Sequence, residues 1–310
     1  MIGTTNICNL KCFMCGTKDS AVPKGFITRD MYEHVVNQCA RMGVRNIALH
    51  TVGEPLLHRD LVAQIGYAKG RGLHVFLSTN GQLLTDGMIE KLLSTELDAI
   101  RISIEGAGKE TYESVRIGAS FEKLIGNLES LMKRRTRRGS SLRIFITSIL
   151  MKKTVSEIAL FYQIFRPLCD DMYFTFLANP GRQVPDIEND MYLKQSQGTS
   201  PCRLLWNTPS VSFDGQVSAC CLDFNNQLVV GNLREQNLRD IWLGPRYEYF
   251  RRLHRERRLH EMPLCGECNK DVNSPLNLLL LNLRAHLLAC SPSFSAFIYK
   301  RPRISRIPET

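Results

Sequence analysis

Three cysteines near the start of the chain have the spacing of a metal site. Cys8, Cys12 and Cys15 lie within eight residues, in the segment CNLKCFMC. One loop can turn three thiolates toward a single centre, and three ligands are one fewer than a tetrahedral zinc ion or a four-iron cluster needs. The spacing therefore predicts a centre with one open coordination position. An iron at that position could bind and polarise a small molecule.

Five further cysteines form a second group, made of Cys202, Cys220, Cys221, Cys265 and Cys268. A C-x2-C pair together with two distant cysteines is enough to close a four-ligand metal site. Adjacent residues of an extended strand point to opposite faces, so only one of Cys220 and Cys221 can face the metal. We expect Cys220, with Cys221 as the alternative. The ligand count alone leaves zinc and an iron–sulfur cluster equally open.

The chain that positions these cysteines alternates β-rich and helical segments up to about residue 178. Strands are predicted at the extreme N-terminus and over 46–51, 73–79, 99–104, 142–149 and 172–177. Helices are predicted from the N-cap Thr28 to Gly43, and over about 60–70, 85–95, 121–137 and 154–166. About six βα units fall short of the eight in a closed barrel. The pattern therefore predicts an α/β fold with an open, partial (β/α)6 TIM-like barrel.

The composition changes after the last predicted strand of the barrel. Residues 179–201 are polar and contain proline and glycine, which is typical of a linker. Residues 202–275 are expected to form a small cysteine-rich α+β domain with a hairpin around Asp214-Gly215 and a helical stretch to about residue 260. Residues 276–310 follow, with an apolar helix from Leu276 to Ala289 and a basic tail. The predicted domains are thus 1–178 and 202–275.

The overall composition is that of a globular protein of 310 residues, with 44% hydrophobic and 23% charged residues. This excludes disordered and repeat-only architectures. No apolar run is long enough for a membrane span and no export signal is present, so we expect a cytoplasmic protein whose cysteines stay reduced. The net charge of +10 gathers in 133–138, 251–258 and 300–306, where no aromatic residues interleave. Solvated faces are therefore favoured over a nucleic-acid surface, and the alternative is a non-catalytic zinc protein that binds nucleic acid.

Four motifs taken together resemble the radical S-adenosylmethionine (SAM) superfamily. The C-x3-C-x2-C segment comes first, and three tetrapeptides follow at predicted strand ends. They are Gly53-Glu54-Pro55-Leu56, Ser78-Thr79-Asn80-Gly81 and Ser103-Ile104-Glu105-Gly106. Two positions depart from the family pattern: Val52 replaces a usual glycine, and Glu105 stands where aspartate is more common.

The resemblance implies a set of cofactor contacts. Cys8, Cys12 and Cys15 would ligate three irons of a [4Fe-4S] cluster, and SAM would chelate the fourth. Glu54, in the motif that begins with Gly53, would receive the SAM ammonium group. The remaining contacts would come from Asn80 and Ser103, near the SAM carboxylate and ribose, and from Arg116, as a cation that neutralises the carboxylate.

The second cysteine group resembles the auxiliary-cluster module called SPASM, or its shorter form, twitch. The segments PCRLLW, VSFDGQVSACCLD, GNL, RDIW and CGEC occur in the module's order. A full SPASM module has more cysteines after the C-x2-C pair, and here only Cys290 follows. The resemblance therefore implies one auxiliary [4Fe-4S] cluster, held by Cys202, Cys220, Cys265 and Cys268. Their spacings of 18, 45 and 3 resemble those of a radical SAM dehydrogenase that acts on an aminocyclitol.

The family chemistry is cleavage of SAM to a 5'-deoxyadenosyl radical, which takes a hydrogen atom from a substrate C–H bond. A saturated auxiliary cluster suits electron transfer, so the resemblance favours net dehydrogenation by a radical SAM oxidoreductase, with flavodoxin or ferredoxin as reductant. The chain begins at its first strand without a leader-binding domain, so we expect a small polar substrate such as a sugar or aminocyclitol. The alternatives are a peptide-modifying enzyme and an epimerase with Cys221 as hydrogen-atom donor. Cys39 and Cys169 lie in apolar helical patterns and are expected in the core.

Overall fold

The computed structural model describes residues 1–188, 191–193, 201–269 and 273–290. Its larger sheet has five parallel strands in the order β1 to β5. These strands are β1 (Asn46–Leu49), β2 (His74–Thr79), β3 (Ala99–Ser103), β4 (Arg143–Leu150) and β5 (Asp171–Phe176). The α/β class with a parallel sheet is confirmed, and each of these strands falls within one or two residues of its predicted bounds.

Helices follow or precede these strands as a βα pattern requires. They are α1 (Arg29–Arg41), α2 (Leu61–Lys69), α3 (Asp86–Leu93), α4 (Lys109–Val115), α5 (Phe121–Arg138) and α6 (Ile158–Phe165). The Thr28 hydroxyl accepts a hydrogen bond from the Met31 amide at 3.3 Å, so it caps α1 as predicted. The short helix α4 was not predicted from the sequence.

Side chains alternate along the strands between a face that packs in the core and a face that lines the cavity. In β3, Ile100 and Ile102 are fully buried, whereas Arg101 and Ser103 are half-buried. Successive side chains of a strand point to opposite faces, so the apolar pair packs into the core and the polar pair faces the barrel interior. This strand therefore contributes a dry face to the core and a polar face to the interior.

The predicted N-terminal strand is wrong as a regular strand. The Ile2 amide donates to the Ala48 carbonyl at 2.8 Å, and the Gly3 amide donates to the Val211 carbonyl at 2.7 Å. Apart from these bonds, the segment makes only isolated bridges, one of which joins Ile2 to Val211. Because its hydrogen bonds go to two different partners, no continuous ladder forms in the described segment and the larger sheet has five strands.

The cysteine-rich part contains a second, antiparallel sheet of three strands. These are β6 (Ser210–Val211), β7 (Gln216–Ser218) and β8 (Val229–Asn232), and the helices of this part are α7 (Leu204–Asn207), α8 (Leu238–Trp242) and α9 (Pro245–Arg255). The predicted hairpin turns at Gly215, which has a φ of +89°. The strand β8 was missed, and the predicted long helix is divided into α8 and α9.

The last described helix, α10 (Pro275–Cys290), packs on the barrel at β5 and α6. The Asn282 side chain accepts from the Phe174 amide at 2.7 Å and donates to the Phe174 carbonyl at 3.1 Å, which ties α10 to the edge strand. In the described part of the chain, no helix has the length and hydropathy that crossing a membrane requires. Residues 189–190 and 194–200 of the predicted linker, the Cys290 side chain and the basic tail lie outside the described residues.

Candidate active site

A cavity of about 460 Å³ opens where the five parallel strands end. It is lined by every residue that the sequence assigned to the first cofactor site, namely Cys8, Cys12, Cys15, Gly53, Glu54, Asn80, Ser103 and Arg116. The carboxyl ends of parallel strands meet at one edge, which explains why motifs far apart in sequence converge here. The structure thus brings the whole predicted set together.

Two of the three N-terminal sulfurs, those of Cys8 and Cys12, lie next to hydrogen-bond donors that suit sulfur ligands. The Leu10 amide lies 3.4 Å from Cys8 Sγ, and Arg116 Nη1 lies 3.8 Å from Cys12 Sγ. The Cys15 thiol contacts Thr17 Oγ1 at 3.3 Å. Hydrogen bonds to the sulfurs are among the features that tune an iron–sulfur cluster. These two donors therefore suit thiolate ligands at Cys8 and Cys12, while the Cys15 thiol donates to Thr17 Oγ1.

Burial favours the protonated form of the Cys8 and Cys12 thiols when no metal is bound. It raises the pKa of Cys12 to about 11, against the opposing effect of Arg116, and it also raises the pKa of Cys8. A thiol must lose its proton to ligate a metal, so metal binding would release protons here. No three described side chains of the His, Cys, Asp or Glu types are already gathered around a single ion position.

Glu54 is a buried carboxylate with both oxygens engaged. Its Oε1 accepts from Thr79 Oγ1 at 2.7 Å and from the Leu56 amide at 3.1 Å, and its Oε2 accepts from the Asn80 amide at 2.8 Å. Burial raises the pKa of Glu54, and these three hydrogen bonds oppose that rise. Each carboxylate oxygen has two lone pairs, so Oε2 can accept one more hydrogen bond from a ligand ammonium.

Arg116 forms a buried ion pair with Glu105. The Glu105 side chain is 1% exposed and the Arg116 side chain is 11% exposed. Burial disfavours the Arg116 cation, but the charge of Glu105, together with that of the Cys12 sulfur in its thiolate form, outweighs burial and raises the pKa of Arg116. The guanidinium therefore stays charged beside Cys12. Glu105, one methylene longer than the usual aspartate, is the partner that holds it there.

Gly53 is required where the N-terminal segment crosses the cavity rim. Its φ is +83°, and a Cβ atom would lie 2.5 Å from the Thr5 carbonyl oxygen and 2.9 Å from the Ile7 carbonyl oxygen. The Glu54 amide next to it donates to the Ile7 carbonyl at 2.8 Å. This close backbone approach places the Glu54 motif directly against the loop that contains the cysteines.

The four C-terminal cysteines that the sequence selected line one apolar cavity of about 290 Å³. They are Cys202, Cys220, Cys265 and Cys268. Burial, with Cys268, Cys202 and Asp223, raises the pKa of Cys265 to about 12. The Leu222 amide donates to Cys220 Sγ at 3.4 Å. Four thiols in a dry pocket fit a fully ligated cluster or zinc.

Cys221 lines a different, smaller cavity of about 40 Å³, beside Thr51, Val52 and Phe224. Cys220 lines both cavities, whereas Cys221 is not on the wall of the pocket that Cys202, Cys265 and Cys268 line. Cys39 and Cys169 are 7% and 5% exposed and belong to the main hydrophobic core, as predicted.

Arg101 and His50 are cavity residues that the motif analysis did not assign. Their side chains contact each other, with Arg101 Nη2 3.1 Å from His50 Nε2. A charged residue in the otherwise apolar strand sequence AIRIS, two positions before Ser103, was the signal that could have located Arg101. His58, by contrast, is buried and bonds the Ile27 carbonyl at 2.9 Å, which is a structural role.

Comparison with known protein families identifies both parts of the chain. Residues 2–161 match the model of the radical SAM superfamily, and residues 202–269 match SPASM, an iron–sulfur cluster-binding domain. The chain belongs to the radical SAM superfamily. The two matches confirm the predicted cofactors, which are a SAM-binding [4Fe-4S] cluster, an auxiliary cluster and SAM.

Curated relatives have diverse activities. The AdoMet-dependent heme synthase of Methanosarcina barkeri is 31% identical over 175 residues, covering 56% of this chain and 48% of the relative. The chain thus matches about half the length of that protein. The tungsten-containing aldehyde ferredoxin oxidoreductase cofactor-modifying protein of Pyrococcus furiosus is 22% identical, covering 86% of this chain and 85% of the relative.

Solved structures share the fold. BtrN in complex with AdoMet and 2-DOIA has a TM-score of 0.62 at 21% identity, covering 86% of this chain and 91% of that one. Native anSMEcpe with bound AdoMet has a TM-score of 0.63 at 16% identity, covering 96% of this chain and 100% of that one. At these identities the likeness shows the fold, and the reaction must be argued from the site.

Proposed function

We propose that this radical SAM enzyme is an oxidoreductase that dehydrogenates a small polar metabolite, with the auxiliary cluster as electron acceptor. The domain bounds 1–178 and 202–275 are part of this proposal, as are the site residues assigned from the sequence. The cofactors, when bound, would supply a 5'-deoxyadenosyl radical at the main cavity and a one-electron acceptor at the auxiliary cavity. An external reductant such as flavodoxin or ferredoxin is part of the proposal.

The observation that carries this proposal is that the two cysteine cavities share walls. Pro180 and Asn273 line both of them. Asn273 accepts from the Phe176 amide at 2.7 Å and donates to the Phe176 carbonyl at 3.0 Å, so this shared wall is fixed to the end of β5. A substrate in the main cavity would therefore lie next to the auxiliary site. That proximity supports removal of a second electron from the substrate.

The protein's own groups would bind, orient and exclude water. Glu54 would accept a hydrogen bond from the SAM ammonium through its remaining lone pair on Oε2. Asn80 and Ser103 would contact polar groups of SAM, and Arg116 would place positive charge beside Cys12. The assignment of Arg116 to the SAM carboxylate stays a prediction, because its Nε is already paired with Glu105.

Epimerisation would need a hydrogen-atom donor in the main cavity. Cys221, the candidate donor, is not on the wall of the main cavity but lines a small cavity that shares Thr51, Val52 and Phe224 with it, so the deuterium experiment must separate the two reactions. A peptide-modifying enzyme would use the same cofactors, so its product, a modified peptide, would distinguish it from the proposed dehydrogenase.

The test combines metal analysis with product analysis. Protein purified without oxygen should contain about eight iron and eight sulfide, and zinc in their place would refute the cluster assignment. With SAM, dithionite and candidate substrates, a dehydrogenated product should be lighter by two hydrogens. Solvent deuterium in an unoxidised product would instead identify an epimerase. The Cys268→Ala variant should retain part of its SAM cleavage and lose product formation, and full turnover would contradict the role of the auxiliary cluster.

A further inference from the structure

Arg101 contributes a cation to the barrel interior and is held in place by neutral groups. Its Nε donates to Ser78 Oγ at 3.0 Å, its Nη1 donates to the Tyr173 hydroxyl at 3.2 Å and its Nη2 donates to His50 Nε2 at 3.1 Å. Its guanidinium carbon lies 5.3 Å from the centre of the Phe76 ring. Partners on or next to three other strands therefore fix the plane of this group.

The other cations of the described cavity wall are already neutralised. Lys18 pairs with Asp19 and Asp186 at 2.5 and 2.7 Å, and Arg116 pairs with Glu105. Arg101 makes no ion pair with any carboxylate in the described part of the chain. A cation in a partly desolvated pocket is costly unless an anion accompanies it. Among the residues that the structure describes, Arg101 is therefore the cavity cation whose counter-charge is missing.

The hydrogen-bond count of Arg101 leaves room for such an anion. A guanidinium has five N–H donors, and the three contacts above use one on each nitrogen. Two donors remain, one on Nη1 and one on Nη2. Two donors on a planar fork are what a carboxylate or a phosphate takes in a bidentate pair.

The hydrogen bonding of His50 follows from its contact with Arg101. Because Arg101 can only donate, His50 Nε2 must accept, and the imidazole proton therefore lies on Nδ1. This Nδ1 is buried and has no hydrogen-bond partner among the described residues. Burial, together with the Arg101 charge, lowers the pKa of His50 to about 3, so the ring is neutral. This donor is buried as well as unpartnered, so it marks the surroundings of Arg101 as polar and incompletely bonded, and the case for an anion rests on Arg101 itself.

We propose that Arg101 and His50 form the specificity subsite of the main cavity, and that the substrate carries an oxyanion, either a carboxylate or a phosphate, which Arg101 binds. This inference rests on the proposed function, since it narrows the small polar substrate of that function to an anionic one. Ser103, on the same strand and face as Arg101, places the subsite next to the predicted SAM contacts.

The test measures anion binding to the cluster-loaded protein in the presence of SAM. Inorganic phosphate and succinate are titrated separately by calorimetry, with chloride at equal ionic strength as the control. Saturable binding of one probe and not the other identifies the type of oxyanion. Arg101→Met should weaken that probe by at least about tenfold, because a charge-assisted bidentate contact is lost. The probe affinity of Arg101→Lys should lie between those of the native protein and Arg101→Met, since lysine keeps the charge but cannot make a bidentate contact.

The matched control is Arg143→Met, which removes the same charge from an exposed arginine stacked on Phe145 outside the cavity. It should change probe binding by less than about twofold. SAM affinity is measured on every variant. If Arg101→Met weakens the binding of SAM as much as the binding of the probe, Arg101 belongs to the SAM site and the proposal is overturned. It is also overturned if neither probe binds the native protein more tightly than Arg101→Met. A protein that binds the probe through Arg101 yet never cleaves SAM would refute the proposed function and leave the anion subsite standing.

Discussion

Removing the cation of the buried Glu105–Arg116 pair should destabilise the barrel strongly. Arg116→Met keeps much of the side-chain volume and deletes the charge, and it leaves the Glu105 carboxylate, 1% exposed, without its partner. The remaining contact to Glu105 is the Ile149 amide at 3.4 Å, too long to compensate a charge. The substitution therefore leaves an unpaired buried carboxylate, and it also removes the 3.8 Å contact from Arg116 Nη1 to Cys12 Sγ.

The expected magnitude follows from that burial. Breaking a buried ion pair by removing one partner costs about 3–5 kcal/mol. For a urea m-value of about 3 kcal/mol per molar, the unfolding midpoint should fall by about 1–1.7 M. Lys109→Met, which breaks the exposed pair with Glu122 (side chains 60% and 62% exposed), should leave the unfolding midpoint almost unchanged, because solvent screens an exposed ion pair.

The assay is urea unfolding followed by circular dichroism, with the variants compared at equal iron content because bound clusters stabilise the folded state. Glu105→Gln added to Arg116→Met removes both charges and should recover most of the loss. A loss below about 1 kcal/mol for Arg116→Met, or no recovery in the double variant, would refute the argument that this pair is buried and mutually dependent.

Three further predictions test the cysteine ligands of the two sites and the close backbone approach at Gly53. Cys12→Ala should abolish the formation of 5'-deoxyadenosine, which is measured by chromatography. The control variant Cys39→Ala changes a buried core thiol and should retain this activity. Activity in Cys12→Ala would contradict the ligand assignment. Cys220→Ala should reduce the iron content from about eight to about four, and Cys221→Ala should leave it at about eight; the reverse result would make Cys221 the ligand. Gly53→Ala should cost at least about 1–2 kcal/mol for its positive φ and should lower cluster loading by displacing the segment at Thr5.

The parts of the site that the sequence could predict are local in sequence or lie at strand ends. Cys8, Cys12 and Cys15 share one loop, so their spacing alone places them on the wall of one cavity. Glu54 and Asn80 each follow a strand, and the parallel order of the sheet then places them side by side. The Glu54 Oε2 bond to the Asn80 amide is the direct result of that order.

The network around Arg101 could not be predicted in the same way. Its partners Ser78, Tyr173 and His50 are 23, 72 and 51 residues away in sequence. Their meeting depends on the curvature that brings β5 opposite β1, which residue periodicity does not encode. Alternation in β3 could still have indicated that Arg101 shares a face with Ser103.

The N-terminal segment shows why the missing strand matters for the site. Had it formed a regular sixth strand, all its backbone bonds would have gone to β1. Instead Ile2 bonds to Ala48 in the barrel and Gly3 bonds to Val211 in the cysteine-rich part. The same few residues thus connect both sheets and lead directly into the loop that contains Cys8.

Other hydrogen bonds also connect the barrel to the cysteine-rich part. The Gln38 side chain of α1 accepts from the Leu238 amide of α8, and the Ser20 hydroxyl donates to the Phe224 carbonyl at 2.5 Å. Electron transfer between a substrate and an auxiliary cluster requires a constant separation. Hydrogen bonds between side chains and backbone groups constrain the two parts more than apolar packing alone, because a hydrogen bond has a preferred direction as well as a preferred length. The geometry of the two cysteine sites is therefore set by the same contacts that hold the sheets together.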